Sequence, residues 1–200
     1  MSTQERSEAT RQAILKAARA VFLEQGYQAA SVAEICARAD VSKGAFYHHF
    51  ETKQGLFLTL MEDWLAGIDR QLQALRAEAP DMASALLHIA DLAGEIFDTA
   101  NEQVPMFLEF WSEARHDRAV WQALVEPYRR YEAMFTEWMK EGMAQGAMRK
   151  TEPRDAARTL VALSVGLLLQ GLLDPEPSRR VETPRHALHL LMDGLREAPR

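Results

Sequence analysis

Residues 31–53 read SVAEICARADVSKGAFYHHFETK, and this stretch decides the fold. Ser31 and Glu34 have the spacing of a capping box, in which the serine hydroxyl takes the orphan N–H of Glu34 and the carboxylate reaches back. A short helix is predicted from about Val32 to Ala39. Asp40 follows as a turn residue that tolerates positive φ, and Val41 is apolar. Ser42 then caps a second short helix reaching about His48. Two short helices that cross steeply need a small residue at their contact and apolar anchors on both sides. Cys36 supplies the first, and Ile35, Val41, Phe46 and Phe50 supply the second. The stretch reads as a helix-turn-helix.

The rest of the chain also reads as helix. Arg6–Gln25 carries Ile14, Ala17, Ala18, Val21 and Phe22 at helical spacing and closes at Gly26. After Thr52, an amphipathic helix spans Lys53–Ala77, with Leu56, Leu60, Trp64, Ile68, Leu72 and Leu75 along one stripe. Pro80 ends it, and Asp81 caps Met82–Ala100. Another helix begins at Pro105, and one from about Arg118 to Gly146 is expected to break near Pro127. Pro153–Leu173 is strongly apolar, residues 174–177 form a proline-rich linker, and Thr183-Pro184 begins the last helix. The fold class is all-α, with about nine helices. Residues 1–52 are expected to form the helix-turn-helix domain and residues 53–200 a second helical domain.

Composition agrees with this reading. The 200 residues include 31 Ala and 24 Leu against 9 Val and 5 Ile, a bias toward helix formers. The N-terminal residues have no apolar core, so no signal peptide is expected. The longest uncharged stretch, Thr159–Leu173, spans roughly 22 Å at 1.5 Å per residue, against the roughly 30 Å of a bilayer core. A soluble, cytoplasmic protein without a membrane partner is expected. Cys36 is the single cysteine, which excludes an internal disulfide and reads as a small core residue. His186 and His189 lack a third ligand nearby and read as surface or interface side chains. Glu109, Glu113 and His116 share helical spacing. They read as a solvated or hydrogen-bonded face, although one of the carboxylates could orient a ligand. Neither a metal nor a cofactor is expected. No nucleophile, base and orienter set is visible, so an enzyme is not expected.

The net charge of −6 hides an asymmetry, since residues 1–53 carry +1 and residues 54–200 carry −7. What matters for a nucleic acid is the local face, and the second short helix has one. The backbone near Ser42, Lys43 and Gly44 can approach a phosphate or base edge, because Gly44 has no Cβ in the way. Lys43 adds a cation, Ala45 a methyl suited to a thymine methyl, and Tyr47 and His48 polar tips. Lys53 and Ser31, each at the start of a helix, are placed to meet flanking phosphates. Double-stranded DNA is the expected partner.

Val41-Ser-Lys-Gly-Ala-Phe-Tyr-His-His-Phe-Glu-Thr-Lys53, with Phe22, Gly26 and Tyr27 upstream and Leu56-Phe57 downstream, resembles the tetracycline repressor (TetR) family. The resemblance covers roughly residues 8–60. Asp40 stands in place of the usual turn glycine and Cys36 in place of the usual alanine. It implies DNA contact at Ser31, Lys43, Gly44, Ala45, Tyr47, His48 and Lys53. It also implies a homodimer on a pseudo-palindromic operator, and a small, largely apolar effector that releases it. The lining residues expected for the effector are Trp64, Ile68, Ile89, Ala93, Phe97, Phe107, Phe110, Trp111, Tyr128, Tyr131 and Phe135. The acidic residues Asp91, Glu95, Glu109 and Glu113 hint at a cationic or polar group on it.

Dimerisation is expected from Thr159–Leu173, whose apolar residues spread over more than one helical face and need cover on two sides. The expected interface is Leu160, Ser164, Leu167, Leu168 and Gly171 together with Leu188, Leu191, Met192 and Leu195 of the last helix, as a four-helix bundle about a two-fold axis. The rival readings are an enzyme using the apolar pocket and a ligand-independent DNA-binding activator or architectural protein.

Overall fold

A computed structural model describes residues 2–101, 104–115, 117–173 and 176–196, with side chains for all of these except 98–101, 106, 107, 113, 172, 177, 178 and 180. The described residues form nine helices: α1 (Thr3–Ala29), α2 (Val32–Ala39), α3 (Lys43–His49), α4 (Lys53–Glu78), α5 (Met82–Asn101), α6 (Val104–Ala114), α7 (Arg118–Ala144), α8 (Pro153–Leu173) and α9 (Pro177–Leu195). An isolated antiparallel bridge joins Met148 and Arg196.

Local chemistry accounts for most boundaries. Ser2 and Glu5 form a capping box that starts α1 three residues before the expected Arg6. At Gly26 the backbone leaves the helical region (φ 82°), and helical geometry resumes only for the short remainder of α1. Ser31 and Glu34 form the predicted box at α2, with Glu34 N–H to Ser31 Oγ at 3.2 Å and Ser31 N–H to Glu34 Oε2 at 3.0 Å. Asp40 takes the left-handed conformation (φ 55°) expected of the turn. Asp117 caps α7 by accepting from the N–H groups of Ala119 at 2.7 Å and Val120 at 3.2 Å.

Two expectations are corrected. The break at Pro127 does not occur, and α7 runs through it. A proline removes only its own N–H and crowds one carbonyl, which a long helix held by packing absorbs as a local bend. The last helix begins at Pro177, well before Pro184, which lies inside it. Both prolines offered an N1 position, and the helix took the earlier one.

The chain divides into two compact units. The first comprises residues 1–66 and 105–121, and the second residues 67–104 and 122–200. In the first, α1 contacts α2 and α3, and α2 contacts α3. Its core includes Ile14, Ala18, Val21, Phe22, Ile35, Cys36, Phe46, Leu56, Phe57 and Phe110. Rings run through it in series: Phe22 to Phe57 at 5.3 Å, Tyr27 to Phe57 at 4.6 Å, and Phe57 to Phe110 at 4.8 Å between centroids. In the second unit, α5 packs on α9 and α8, and α8 packs on α9. Its core holds Leu86, Ile89, Ala93, Phe97, Phe135, Trp138, Met139, Leu160, Leu167, Leu188 and Met192. The helices α5 and α9 come so close that a Cβ at Gly94 would overlap the Val181 carbonyl.

Glu132 on α7 is a buried carboxylate, and two arginines of α8 hold it: Arg154 Nε at 2.6 Å and Arg158 Nε at 3.2 Å. The hydrogen bond from Arg154 holds the Glu132 carboxyl below its usual range, against the opposing effect of burial. A depressed folded-state value contributes stability above the unfolded value of about 4.3, and that stability is lost as pH falls through the folded value. Glu132→Gln is therefore expected to lower the Tm near neutrality and to flatten its decline between about pH 5 and pH 3. Circular-dichroism melts across that range check this. An unchanged acid limb would show that Glu132 does not control it.

Candidate nucleic-acid interface and effector region

The face of α3 divides as its sequence predicts. Phe46 and Phe50 are buried, while Ser42, Lys43, Gly44, Tyr47 and His48 are exposed and Ala45 is half-buried. Ser42 Oγ accepts the N–H of Ala45 at 3.1 Å, which fixes the start of the helix. Tyr47 is 53% exposed, with its ring edge-on to Phe46 at 5.3 Å. A cation, a glycine, a phenol and an imidazole thus project from one short helix whose other side is anchored by two phenylalanines. Such a surface suits major-groove reading, because base contacts specify sequence while the buried side fixes the helix against its own domain.

The two flanking candidates are engaged within the protein. The Ser31 hydroxyl donates to Glu34 Oε2 at 2.7 Å as part of the capping box. Lys53 Nζ donates to the carbonyls of Tyr27 at 2.7 Å, Ala30 at 2.9 Å and Gln28 at 3.4 Å, and lies 4.4 Å from the centroid of the Tyr27 ring. In this structure the Lys53 cation serves the C-terminal end of α1, where backbone carbonyls lack helical partners.

The residues expected to line an effector site are distributed over both units. Trp64, Phe110 and Trp111 belong to the first, and Ile68, Ile89, Ala93, Phe97, Tyr128, Tyr131 and Phe135 to the second. Phe107 lies in the first unit, but its side chain is outside the described residues, as are the side chain of Glu113 and all of His116. Phe110 is core against Phe57, and Phe135 is core edge-on to Trp138 at 5.4 Å. Ile89, Ala93 and Phe97 are buried in the second core, Trp64 and Ile68 are half-buried, and Trp111 and Tyr128 are 52% and 41% exposed. Tyr131 is half-buried, and burial followed by the neighbouring Asp69 carboxylate pushes its phenol well above the usual value. It stays a neutral hydrogen-bond donor, while Asp69 also pairs with Arg130 at 2.7 Å.

Two of the acidic residues expected to favour a cationic effector have internal partners. Asp91 accepts from His189 Nε2 at 2.8 Å and lies 3.6 Å from Arg185, and Glu109 accepts the backbone N–H of Tyr27. Sequence spacing gave no sign of these long-range partners. Among the described residues no group of three or more His, Cys, Asp or Glu could hold a metal ion.

The interface residues expected on the last two helices sort into two classes. Leu160, Leu167, Leu188, Met192 and Leu195 are buried in the second unit's own core. The reason is that α8 is covered on that face by α5 and α9 of the same chain. Ser164, Leu168, Gly171 and Leu191 are half-buried at its margin. The most exposed large apolar side chains described on these two helices are Leu173 and Leu190, neither of them in the expected set, at 85% and 75%. No helix among the described residues is long and apolar enough to cross a membrane.

Known proteins match both parts of the chain. Residues 14–60 match the model of bacterial regulatory proteins of the TetR family, and residues 85–197 match the BetI-type transcriptional repressor C-terminal model. The HTH-type transcriptional regulator BetI 2 of Chromohalobacter salexigens is 32% identical over 190 residues, covering 92% of this chain and 87% of the relative. BetI of Proteus mirabilis is 30% identical over 182 residues, covering 88% and 86%. Among solved structures, a TetR transcription regulator from Haloarcula marismortui superposes with a TM-score of 0.81 at 17% identity, covering 94% of this chain and 98% of that one. A regulator from Saccharomonospora viridis in complex with choline superposes with a TM-score of 0.78 at 21% identity, again covering 94% and 98%. The exposed α3 face on its phenylalanine anchors, the all-helical fold and the matches along both parts of the sequence agree, and the chain belongs to the TetR family, as a helix-turn-helix transcriptional regulator with a BetI-type C-terminal region.

Proposed function

We propose that this regulator is a repressor that binds a pseudo-palindromic operator as a homodimer in the cytoplasm and is released by a small, largely apolar effector, without enzymatic activity of its own. Residues 1–52 are the DNA-reading part, and residues 53–200 are the effector-responsive and dimerising part. The observation that carries the reading is the exposed set Lys43, Gly44, Tyr47 and His48 around the buried Phe46. In it Lys43, Tyr47 and His48 meet base edges or phosphates, Ala45 faces a thymine methyl, and Ser42 and Gly44 let the backbone approach a phosphate or base edge. Support for the dimer comes from Leu173 and Leu190, two large apolar side chains left bare on α8 and α9. Half-buried Ser164, Leu168, Gly171 and Leu191 would complete the contact. Support for a small organic effector comes from the choline held by the Saccharomonospora viridis regulator, which makes choline the first compound to test.

The test begins with a pool of randomised duplexes from which the unmodified protein enriches a preferred sequence. Lys43→Ala is expected to weaken binding to it and to reduce the dependence of log affinity on log salt by about one unit, the signature of one lost phosphate contact. If the salt slope and affinity are both unchanged, α3 is not the helix that meets DNA. Choline is then titrated into the protein–duplex complex. Release supports a quaternary ammonium effector, and retention at millimolar choline directs the search to other apolar compounds.

A further inference from the structure

The backbone of Tyr27 is held on both sides of its Cα by charged side chains from distant parts of the chain. Its N–H donates to the carboxylate of Glu109 on α6, and its carbonyl accepts from the ammonium of Lys53 at the start of α4 at 2.7 Å. The same ammonium takes the Ala30 carbonyl at 2.9 Å, one residue before the Ser31 cap of α2. Beside the clamp, Gly26 adopts φ 82°, and a Cβ there would overlap the Glu109 carboxylate. Glycine is required at this position for its conformation. The neighbour of Glu109, Phe110, packs on Phe57, which packs on the Tyr27 ring. One turn of α6 therefore presents an anion to the backbone of Tyr27 and a ring to the aromatic series beneath it. A further tie joins Gln54, next to Lys53, to Asp117 at 3.1 Å.

Residues 26–31 are the link through which α1 passes into α2, and α2 carries α3 through the Asp40 turn. Charge-assisted hydrogen bonds are roughly twice as strong as neutral ones, so a residue whose N–H and C=O are both gripped this way is well fixed. Glu109 falls within the stretch matched by the C-terminal family model, residues 85–197, yet α6 clusters with the DNA-reading helices. We propose that Glu109 and Lys53 are positioning residues for operator recognition: opposite charges delivered by α6 and α4 that fix the backbone on either side of Tyr27 and so set the direction in which α2 and α3 are presented. The proposal rests on the reading of α3 as the operator-facing helix. It gives Lys53 a role inside the protein instead of on a phosphate. Non-specific binding depends on net cationic contacts and tolerates a tilted α3, whereas specific binding needs that helix seated on its bases.

The experiment measures fluorescence anisotropy of a labelled duplex enriched by the unmodified protein and of a shuffled duplex of equal composition, over a range of salt. Glu109→Ala and Lys53→Met are each expected to lose about tenfold or more in affinity for the enriched duplex, and about twofold or less for the shuffled one. The salt slope should stay unchanged in both. Glu109→Gln, which keeps an acceptor for the Tyr27 N–H, should recover much of the loss, and the double variant should lose about as much as one single variant and not the product of the two losses, because both residues act on the backbone of Tyr27. A salt slope lowered by about one unit in Lys53→Met would make Lys53 a phosphate contact and overturn its positioning role. Equal losses on both duplexes, or no loss in Glu109→Ala, would overturn the clamp. Should Glu109→Ala fail to fold, Glu109→Gln decides alone, with a loss of about threefold on the enriched duplex expected and no loss overturning the proposal. Failure of the unmodified protein to enrich any duplex would overturn the operator reading and the clamp together. Enrichment followed by any of the contrary results overturns the clamp alone.

Discussion

Phe46→Ala is expected to lower stability by about 3–5 kcal/mol and to abolish sequence-specific DNA binding. Phe46 is 0% exposed, at the centre of the smaller of the two units, with Phe50 at 6.0 Å and Tyr47 edge-on at 5.3 Å between ring centroids. Removing the ring leaves a cavity that α2 and α3, of eight and seven residues, are too short to close by bending. The exposed residues of α3 then lose their support, although none of them has been changed. Urea denaturation followed by circular dichroism measures the loss. A cost below about 1 kcal/mol with normal binding would mean that the ring is not what holds α3 in place.

The second large effect is expected at the other end of the chain. Leu173→Glu with Leu190→Glu places two carboxylates at the most exposed leucines of α8 and α9. Neither side chain supports the unit's own core, so the fold should survive and the dimer should not. Two linked half-site contacts gain by acting at high effective concentration, and their separation is expected to cost about 10²–10⁴ in operator affinity. Sedimentation equilibrium at micromolar protein should report a monomer. A variant that still sediments as a dimer would move the interface away from these helices.

Much of the fold is legible in the sequence because its boundaries are written in local chemistry. The Ser31–Glu34 box, the Asp40 turn, the Ser42 cap and the Pro153 start involve residues at most four apart, and the structure keeps each of them. Where two local signals compete, reading fails: Pro177 and Pro184 could each begin α9, and Pro127 could break α7 or be absorbed by it. The buried and exposed sides of α3 were likewise readable, since phenylalanines alternate with polar residues at helical spacing.

What spacing leaves unread at the site has a different origin. The sequence offers Lys53 as a phosphate ligand but does not show its carbonyl partners at Tyr27, Gln28 and Ala30, which lie more than twenty residues away. Glu109 finds its partner 82 residues away, and Glu132 meets Arg154 and Arg158 across two helices. On α8 the amphipathic pattern told that two faces are apolar, but not which face its own chain covers. Leu160 and Leu167 proved to be inside, while Leu173 remained outside. Charged and apolar side chains alike acquire their roles from tertiary partners, which spacing along the chain does not encode.

A two-fold symmetric regulator that reads DNA through α3 should leave a defined pattern in hydroxyl-radical footprinting of the unmodified protein on the duplex it enriches. Two protected half-sites are expected, related by a dyad in the sequence and centred about 34–36 Å or a multiple of that apart along one face of the helix. A single protected half-site without a dyad, or protection that is unchanged by Lys43→Ala, would contradict it.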